Sequence, residues 1–314
     1  MQRVALILPW VGELPWYYGL FEASLRHAGV ELVLLHKDLG WFERRIGDAL
    51  GVPVSLSNGY KLCDFKPMYG EIFAAELAGF DWWAFGDCDF IYGRRFGAWV
   101  KEVTEGQWDV ACVRRDWVSG GFTLMRNCEK VNSLFRRSPC WKEAALAPRC
   151  VAFDELGPNW LIEVKYNGKS FADLRRERPY FAAVLWAADD VRFRHEEVVS
   201  EDGLGLKTLR MRSATGELML DGEEIACFHM VCAKSYHTFR GRPIASSEVG
   251  DYTLTRYGYS AGLAGLSPLA VLWRSTVSFL AFVGRLLHGS ANEWRRVRRV
   301  FRRVVLRRAR WWEG

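Results

Sequence analysis

The chain has 314 residues, half of them hydrophobic, which is ample for a sizeable core in one large domain or one domain with a tail. Its formal charge of +6 is local: Glu293 to Gly314 carry nine Arg and two Glu, +7, which leaves −1 on everything before them. That balance excludes a basic nucleic-acid-binding body and confines the basic character to the C-terminal tail. The eight cysteines are scattered, with no Cys-x-x-Cys, and Cys227 and Cys232 flank His229 at a spacing that fits no zinc pattern. They read as reduced thiols of a cytosolic protein. The 15 Trp suit a core, a sugar site or a membrane interface.

The N-terminus runs directly into Val4-Ala5-Leu6-Ile7-Leu8, with no small-residue cleavage site, so no signal peptide is expected. Residues 3–9 predict a short buried strand. Trp16 to His27 has helical apolar spacing and ends at Gly29. Val30 to Leu35 predicts a second buried strand. Strand, helix and strand with short joints open a parallel α/β sheet, in which ligands sit beyond the carboxyl ends of the strands. Pro9, Trp10, Lys37 and Asp38 lie at those ends and are candidates to touch a nucleotide base or ribose; ordinary loop residues are the alternative.

Residues 40–58 read as mixed helix and loop. In Tyr60-Lys61-Leu62-Cys63-Asp64-Phe65-Lys66-Pro67, two lysines and an aspartate sit in an otherwise apolar segment leading into a helix near Glu71 to Leu77. Either lysine stems lie on apolar surface with their heads in water, or Lys61 or Lys66 faces a diphosphate and Asp64 a base or ribose.

Phe80 to Gly93 follows. Its aromatic start predicts a strand buried on both faces, and it ends in Asp87 and Asp89, one residue apart. Burying a bare carboxylate costs several kcal/mol or more, so such a pair at a strand end wants water, a donor or a cation. A divalent metal bridging carboxylates to phosphate oxygens fits the pair; a simple turn after the strand is the alternative. A helix through Val103 and a strand over Trp108 to Val113 come next. Ser119-Gly120-Gly121 turns into a further strand, and the paired glycines either let a ligand approach the backbone or permit the turn. Residues 128–150 look helical, broken by Pro139 and Pro148.

Asp154 and Glu155 form a second acidic pair. A carboxylate there can act as general base or hold an acceptor hydroxyl, or it can mark a helix N-terminus. Residues 160–200 have no clear pattern. Leu206 to Phe228 carries two turn signals between short alternating runs and predicts hairpins. It ends in His229, a candidate metal ligand or a core histidine, and Lys234, a candidate to neutralise phosphate.

Four segments, Leu14 to Tyr18, Tyr60 to Pro67, Trp83 to Gly93 and Ser119 to Asn127, together with Phe153-Asp154-Glu155 and Phe228-His229, resemble a GT-A glycosyltransferase. The likeness spans roughly residues 3–240 and is nearest to an uncharacterised bacterial polysaccharide-synthesis group. It implies an α/β, Rossmann-like, mostly parallel sheet with flanking helices and a small β-hairpin region. It implies Mn²⁺ or Mg²⁺ with a nucleotide-sugar donor, usually UDP-linked. Asp89 would contact the metal, Asp87 the metal, ribose or sugar, and His229 would complete the metal shell. Asp154 or Glu155 would lie on the acceptor side. Cys88 and Met230-Val231-Cys232 depart from the family pattern without removing a charge the metal needs.

Pro268 to Leu287 is mostly apolar but interrupted by Arg274 and Arg285, and the second tail segment sets an apolar stripe among arginines before Trp311 and Trp312. This predicts a basic amphipathic helical tail lying on an anionic membrane surface. The expected division is residues 1–245 as the catalytic domain, 246–265 as a linker and 266–314 as the tail. The expected protein is a cytoplasmic glycosyltransferase at the inner face of the plasma membrane, with a glycan or lipid-linked glycan acceptor and no nucleic-acid partner. A non-catalytic nucleotide-sugar-binding module and a nucleotide-sugar hydrolase or phosphotransferase are the alternatives.

Overall fold

A computed structural model describes residues 2–201, 208–231, 244–255 and 258–263. The strands, in chain order, are β1 (Val4–Trp10), β2 (Glu31–His36), β3 (Trp82–Gly86), β4 (Phe90–Tyr92), β5 (Val110–Cys112), β6 (Phe122–Arg126), β7 (Phe193–His195), β8 (Val199–Glu201), β9 (Leu209–Arg212), β10 (Glu217–Leu220), β11 (Glu223–Glu224), β12 (Cys227–His229), β13 (Tyr252–Thr255) and β14 (Gly258–Ala261). The central sheet runs β2-β1-β3-β6-β5-β7. It is mostly parallel: β6 alone among its strands runs against its neighbours β3 and β5.

This sheet forms around β1 and β3, which are apolar at every position. Alternate residues point to opposite faces of a strand. Val4, Leu6, Trp82 and Ala84 therefore join one core layer, and Ala5, Ile7, Trp83 and Phe85 the other. Removing either fully buried indole would cost about 3–5 kcal/mol. The helix Leu39–Leu50 covers one face through Phe42, Ile46 and Leu50, one turn apart. Arg94–Glu105 covers the other through Phe96, Trp99, Val100 and Val103.

The N-terminal expectations correspond closely to what forms. Helix Tyr18–Ser24 and a 3₁₀ turn to His27 occupy the first helical stretch. The hairpin region is a five-stranded sheet, β11-β10-β9-β13-β14, packed on Leu20 and Ala23 of that first helix. A small sheet, β4-β12-β8, lies between the two and carries much of the site.

Two expectations need correction. Residues 246–265 are not simply a linker: β13 pairs with β9, and Tyr252 and Leu254 are buried in the core of the hairpin sheet. The helix expected near Glu71 to Leu77 is a four-residue turn of helix, Tyr69–Ile72, preceded by a ten-residue 3₁₀ helix, Gly59–Met68. Among the described residues, no helix is long and apolar enough to cross a membrane. The tail, residues 266–314, lies outside them, as does Lys234.

Candidate active site

The carboxyl ends of β1, β2 and β3 lie side by side. Trp10 pairs with His36, and Ile7 with Phe85, so Pro9, Trp10, Lys37, Asp38 and Asp87 gather at one edge of the sheet. The Asp38 carboxylate caps the helix Leu39–Leu50, accepting from Trp41 N–H at 2.7 Å. The Lys37 ammonium sits 5.8 Å from the centre of the Trp41 ring. The Trp10 indole donates to Glu13 O. The polar atoms of Trp10 and Asp38 are thus partly engaged within the protein.

Asp87 N–H donates to Gly121 O at 3.1 Å, which ties the acidic loop to the glycine turn before β6. In the small sheet, β12 pairs with β4 so that His229 faces Phe90, and Met230 N–H donates to Asp89 O. The Phe90 and His229 rings stack with centroids 4.4 Å apart. Asp87, Asp89 and His229 thereby bring one ligand atom each within 4.8 Å of one another. His229 Nε2 is 3.3 Å from Asp89 Oδ2, and the Asp89 side chain is buried. Two carboxylates and an imidazole match the donors that Mn²⁺ accepts, and the carboxylates also suit Mg²⁺.

Lys66 stands next to this cluster. Its ammonium donates to Asp87 Oδ1 at 2.7 Å and to Gly120 O at 2.8 Å, and lies 3.7 Å from Asp154 Oδ2. Burial disfavours the ammonium, but the charges of Asp87 and Asp154 outweigh it and hold its pKa well above the ordinary lysine value. Asp154 is buried too. That burial pushes its pKa well above the ordinary carboxylate range, against the pull of Lys66. Glu155 accepts from Gly120 N–H at 3.1 Å and from the Trp160 indole at 2.7 Å. The acidic pair stands in a turn, not at a helix N-terminus.

The 3₁₀ helix explains why the two lysines differ. With three residues per turn, side chains i and i+3 eclipse. Leu62, Phe65 and Met68 form one stripe and enter the core. Lys66 lies on the stripe of Tyr60 and Cys63. Lys61 and Asp64 form the third stripe and pair with each other at 2.7 Å, both fully buried. Lys61 also donates to Ala144 O, and Asp64 accepts from Val151 N–H and Phe153 N–H. The expectation that Lys61 faces a diphosphate and Asp64 a base or ribose is therefore corrected. This buried pair instead anchors the turn that carries Asp154, in which Ala152 adopts a left-handed φ of 54°.

The glycine pair packs against other site residues. A Cβ on Gly120 would stand 2.6 Å from Asp154 Oδ2, and one on Gly121 would stand 2.4 Å from the Phe90 ring. The room their missing side chains leave is filled by site residues, so these glycines permit close packing within the protein.

Sequence reasoning did not single out Tyr17, Arg114 or Glu201. The Tyr17 hydroxyl is hydrogen-bonded to the Cys88 thiol; burial first, then the charges of the Cys88–Asp89 loop, raise its pKa above that of a free phenol. Glu201 Oε1 is 3.3 Å from His229 Nδ1, and the Arg114 guanidinium binds Glu201 and Glu197. Only parallel pairing of β8 with β12 brings Glu201 there, and no spacing in the sequence signals it. Among the described residues no cysteine is in a disulfide, and Cys88, Cys112 and Cys227 are buried.

A family described as "Family of unknown function (DUF6625)" matches residues 28–239. No curated protein matches the chain. Among solved structures, a glycosyltransferase involved in glycosylation of the major capsid of PBCV-1 is similar at 9% identity and a TM-score of 0.37, covering 73% of this chain and 93% of its own. Mouse xyloside xylosyltransferase 1 in its apo form is similar at 8% identity and a TM-score of 0.37, over 74% of this chain and 98% of its own. A197 from STIV is similar at 17% identity and a TM-score of 0.25, over 40% of this chain and 65% of its own.

Proposed function

The chain belongs to DUF6625, a family of unknown function, and we propose that this member is a metal-dependent glycosyltransferase. In this reading it moves a sugar from a UDP-sugar to a hydroxyl of a lipid-linked bacterial surface glycan. The observation that carries the reading is the meeting of Asp87, Asp89 and His229 within 4.8 Å beyond the carboxyl end of β3, beside Lys66. These three residues would hold Mn²⁺ or Mg²⁺, which when bound would neutralise charge developing on the departing diphosphate.

Lys66 adds a fixed positive charge to the same region. Two hydrogen-bond acceptors and the nearby Asp154 carboxylate hold it before substrate arrives, so little reorganisation is needed as the leaving group gains charge. Asp154 suits the role of general base for the acceptor hydroxyl, because burial raises its proton affinity. Glu155, held by Gly120 and Trp160, suits a shaping role on the acceptor side. Pro9, Trp10, Lys37 and Asp38 suit the base and ribose end. The arginine-rich tail supports attachment to the anionic inner face of the plasma membrane, where a lipid-linked acceptor would be met.

The test is release of UDP from UDP-sugars by the full chain with Mn²⁺, followed with and without EDTA. Release that EDTA abolishes, with sugar found on the acceptor, is the expected result. No release and no UDP binding, with EDTA making no difference, overturns the reading. Binding without turnover would point to a non-catalytic nucleotide-sugar-binding module, and free sugar as the product to a hydrolase.

A further inference from the structure

We infer that Glu201, held by Arg114, is a positioning residue that fixes the tautomer of His229 for a divalent cation. This rests on the metal reading of Asp87, Asp89 and His229. β12 lies between β4 and β8, and His229 pairs with Phe90 on one side and Glu201 on the other. The imidazole is therefore constrained on every side that matters. The Phe90 ring stacks on it, Nε2 faces Asp89 Oδ2 at 3.3 Å, and Nδ1 faces Glu201 Oε1 at 3.3 Å.

A neutral imidazole carries one N–H. Donating it from Nδ1 to Glu201 leaves the Nε2 lone pair directed at the side where the two aspartates stand. A carboxylate behind a ligating histidine sets ring orientation and raises ligand basicity in this way. Glu201 is itself held. The Arg114 side chain is only 8% exposed, and its guanidinium binds both Glu201 and Glu197. It also lies 5.0 Å from the Trp117 ring centre. A buried guanidinium thus bridges two partly exposed carboxylates, and one of them, Glu201, has no part in the aspartate pair. The same Glu201 oxygen that meets Arg114 faces His229 Nδ1, so the guanidinium holds that carboxylate still behind the imidazole.

The test uses the full chain and Mn²⁺ alone. Affinity is read by electron paramagnetic resonance, and the tautomer by the ¹⁵N shifts of labelled histidine, with His229→Asn assigning the signal. Glu201→Ala should weaken Mn²⁺ by about 10- to 100-fold and shift His229 in the metal-free protein away from the Nδ1–H form. Glu201→Gln, whose carbonyl still accepts from Nδ1–H, should keep most of both properties. Arg114→Met should fall between them. Asp89→Ala separates the two layers. If it loses Mn²⁺ while Glu201→Ala changes neither affinity nor tautomer, the positioning role is overturned and the metal site stands. If Asp89→Ala binds Mn²⁺ as the unaltered protein does, both are overturned.

Discussion

Lys66 Nζ donates to Asp87 Oδ1 at 2.7 Å, joining the 3₁₀ helix to the acidic loop after β3. One bond thus couples the only charge of its stripe to the first carboxylate of the proposed metal site. Lys66→Met should lower the rate of UDP release by about 100-fold, the scale of losing one preorganised stabilising group. Lys66→Arg should not restore it, because a planar guanidinium cannot replace a buried ammonium held between Asp87 Oδ1 and Gly120 O. The measurement is kcat for UDP release, with a thermal melt to show that each variant is folded.

Asp89→Asn should separate activity from stability. It removes a buried negative charge beside Asp87, so cation affinity and turnover should both fall by about 100-fold or more, on the scale of removing a transition-state stabiliser. In EDTA, the same variant should melt at or above the temperature of the unaltered protein, because two neighbouring carboxylates repel each other when no cation lies between them. Calorimetry in EDTA and in Mn²⁺ reads both effects. A lower melting temperature in EDTA would mean that Asp89 is a structural residue.

The opening β1, first helix and β2 were legible because each has one clear apolar pattern, with Pro9 and Gly29 marking two of the joints. The acidic loop was legible for the same reason: carboxylates directly after a strand buried on both faces stand out. The roles of Lys61 and Lys66 were not, since a three-residue period was needed to tell a core stripe from a site stripe. Gly120 and Gly121 were read either for ligand approach or for the turn, and the packing of Asp154 and Phe90 beside them was not visible in the sequence. β13 was hidden because Tyr252 and Leu254 are buried only through pairing with a strand some forty residues earlier. Glu201 was hidden for the same reason, its partner His229 being a neighbour only across a parallel ladder.

The Lys61–Asp64 pair gives a stability prediction with a built-in control. Asp64→Asn leaves the Lys61 ammonium buried without its counter-charge and should cost about 3–5 kcal/mol. Turnover should fall as well, because Asp64 holds Val151 and Phe153 of the turn before Asp154. Replacing both residues, Lys61→Met with Asp64→Leu, should recover part of the stability and little of the activity, since the two backbone donors remain unmet. Urea unfolding and UDP release on the same samples distinguish the two contributions. Full recovery of activity in the double variant would show that the pair has no hold on the turn.

Asp109 tests electrostatics at the opposite end of the sheet. Burial alone would raise its pKa, but Arg192, through its side chain and its backbone N–H, and Lys130 outweigh that and bring it down to about 2 from 3.8. A carboxylate whose pKa is lower folded than unfolded contributes stability above its unfolded pKa and loses it as pH falls through the folded value. Its partners Arg192, Arg126 and Lys130 are each about 40–50% exposed, so solvent screening discounts the gain to about 1–2 kcal/mol. Asp109→Asn should therefore be less stable by that amount at pH 7. The gap should begin to close below about pH 4, be only partly closed at pH 2, where the folded side chain is about half protonated, and approach zero only below that. Urea midpoints of the two proteins across this range read the difference directly. A gap that stays constant with pH would assign the loss to packing and hydrogen-bond geometry rather than to charge.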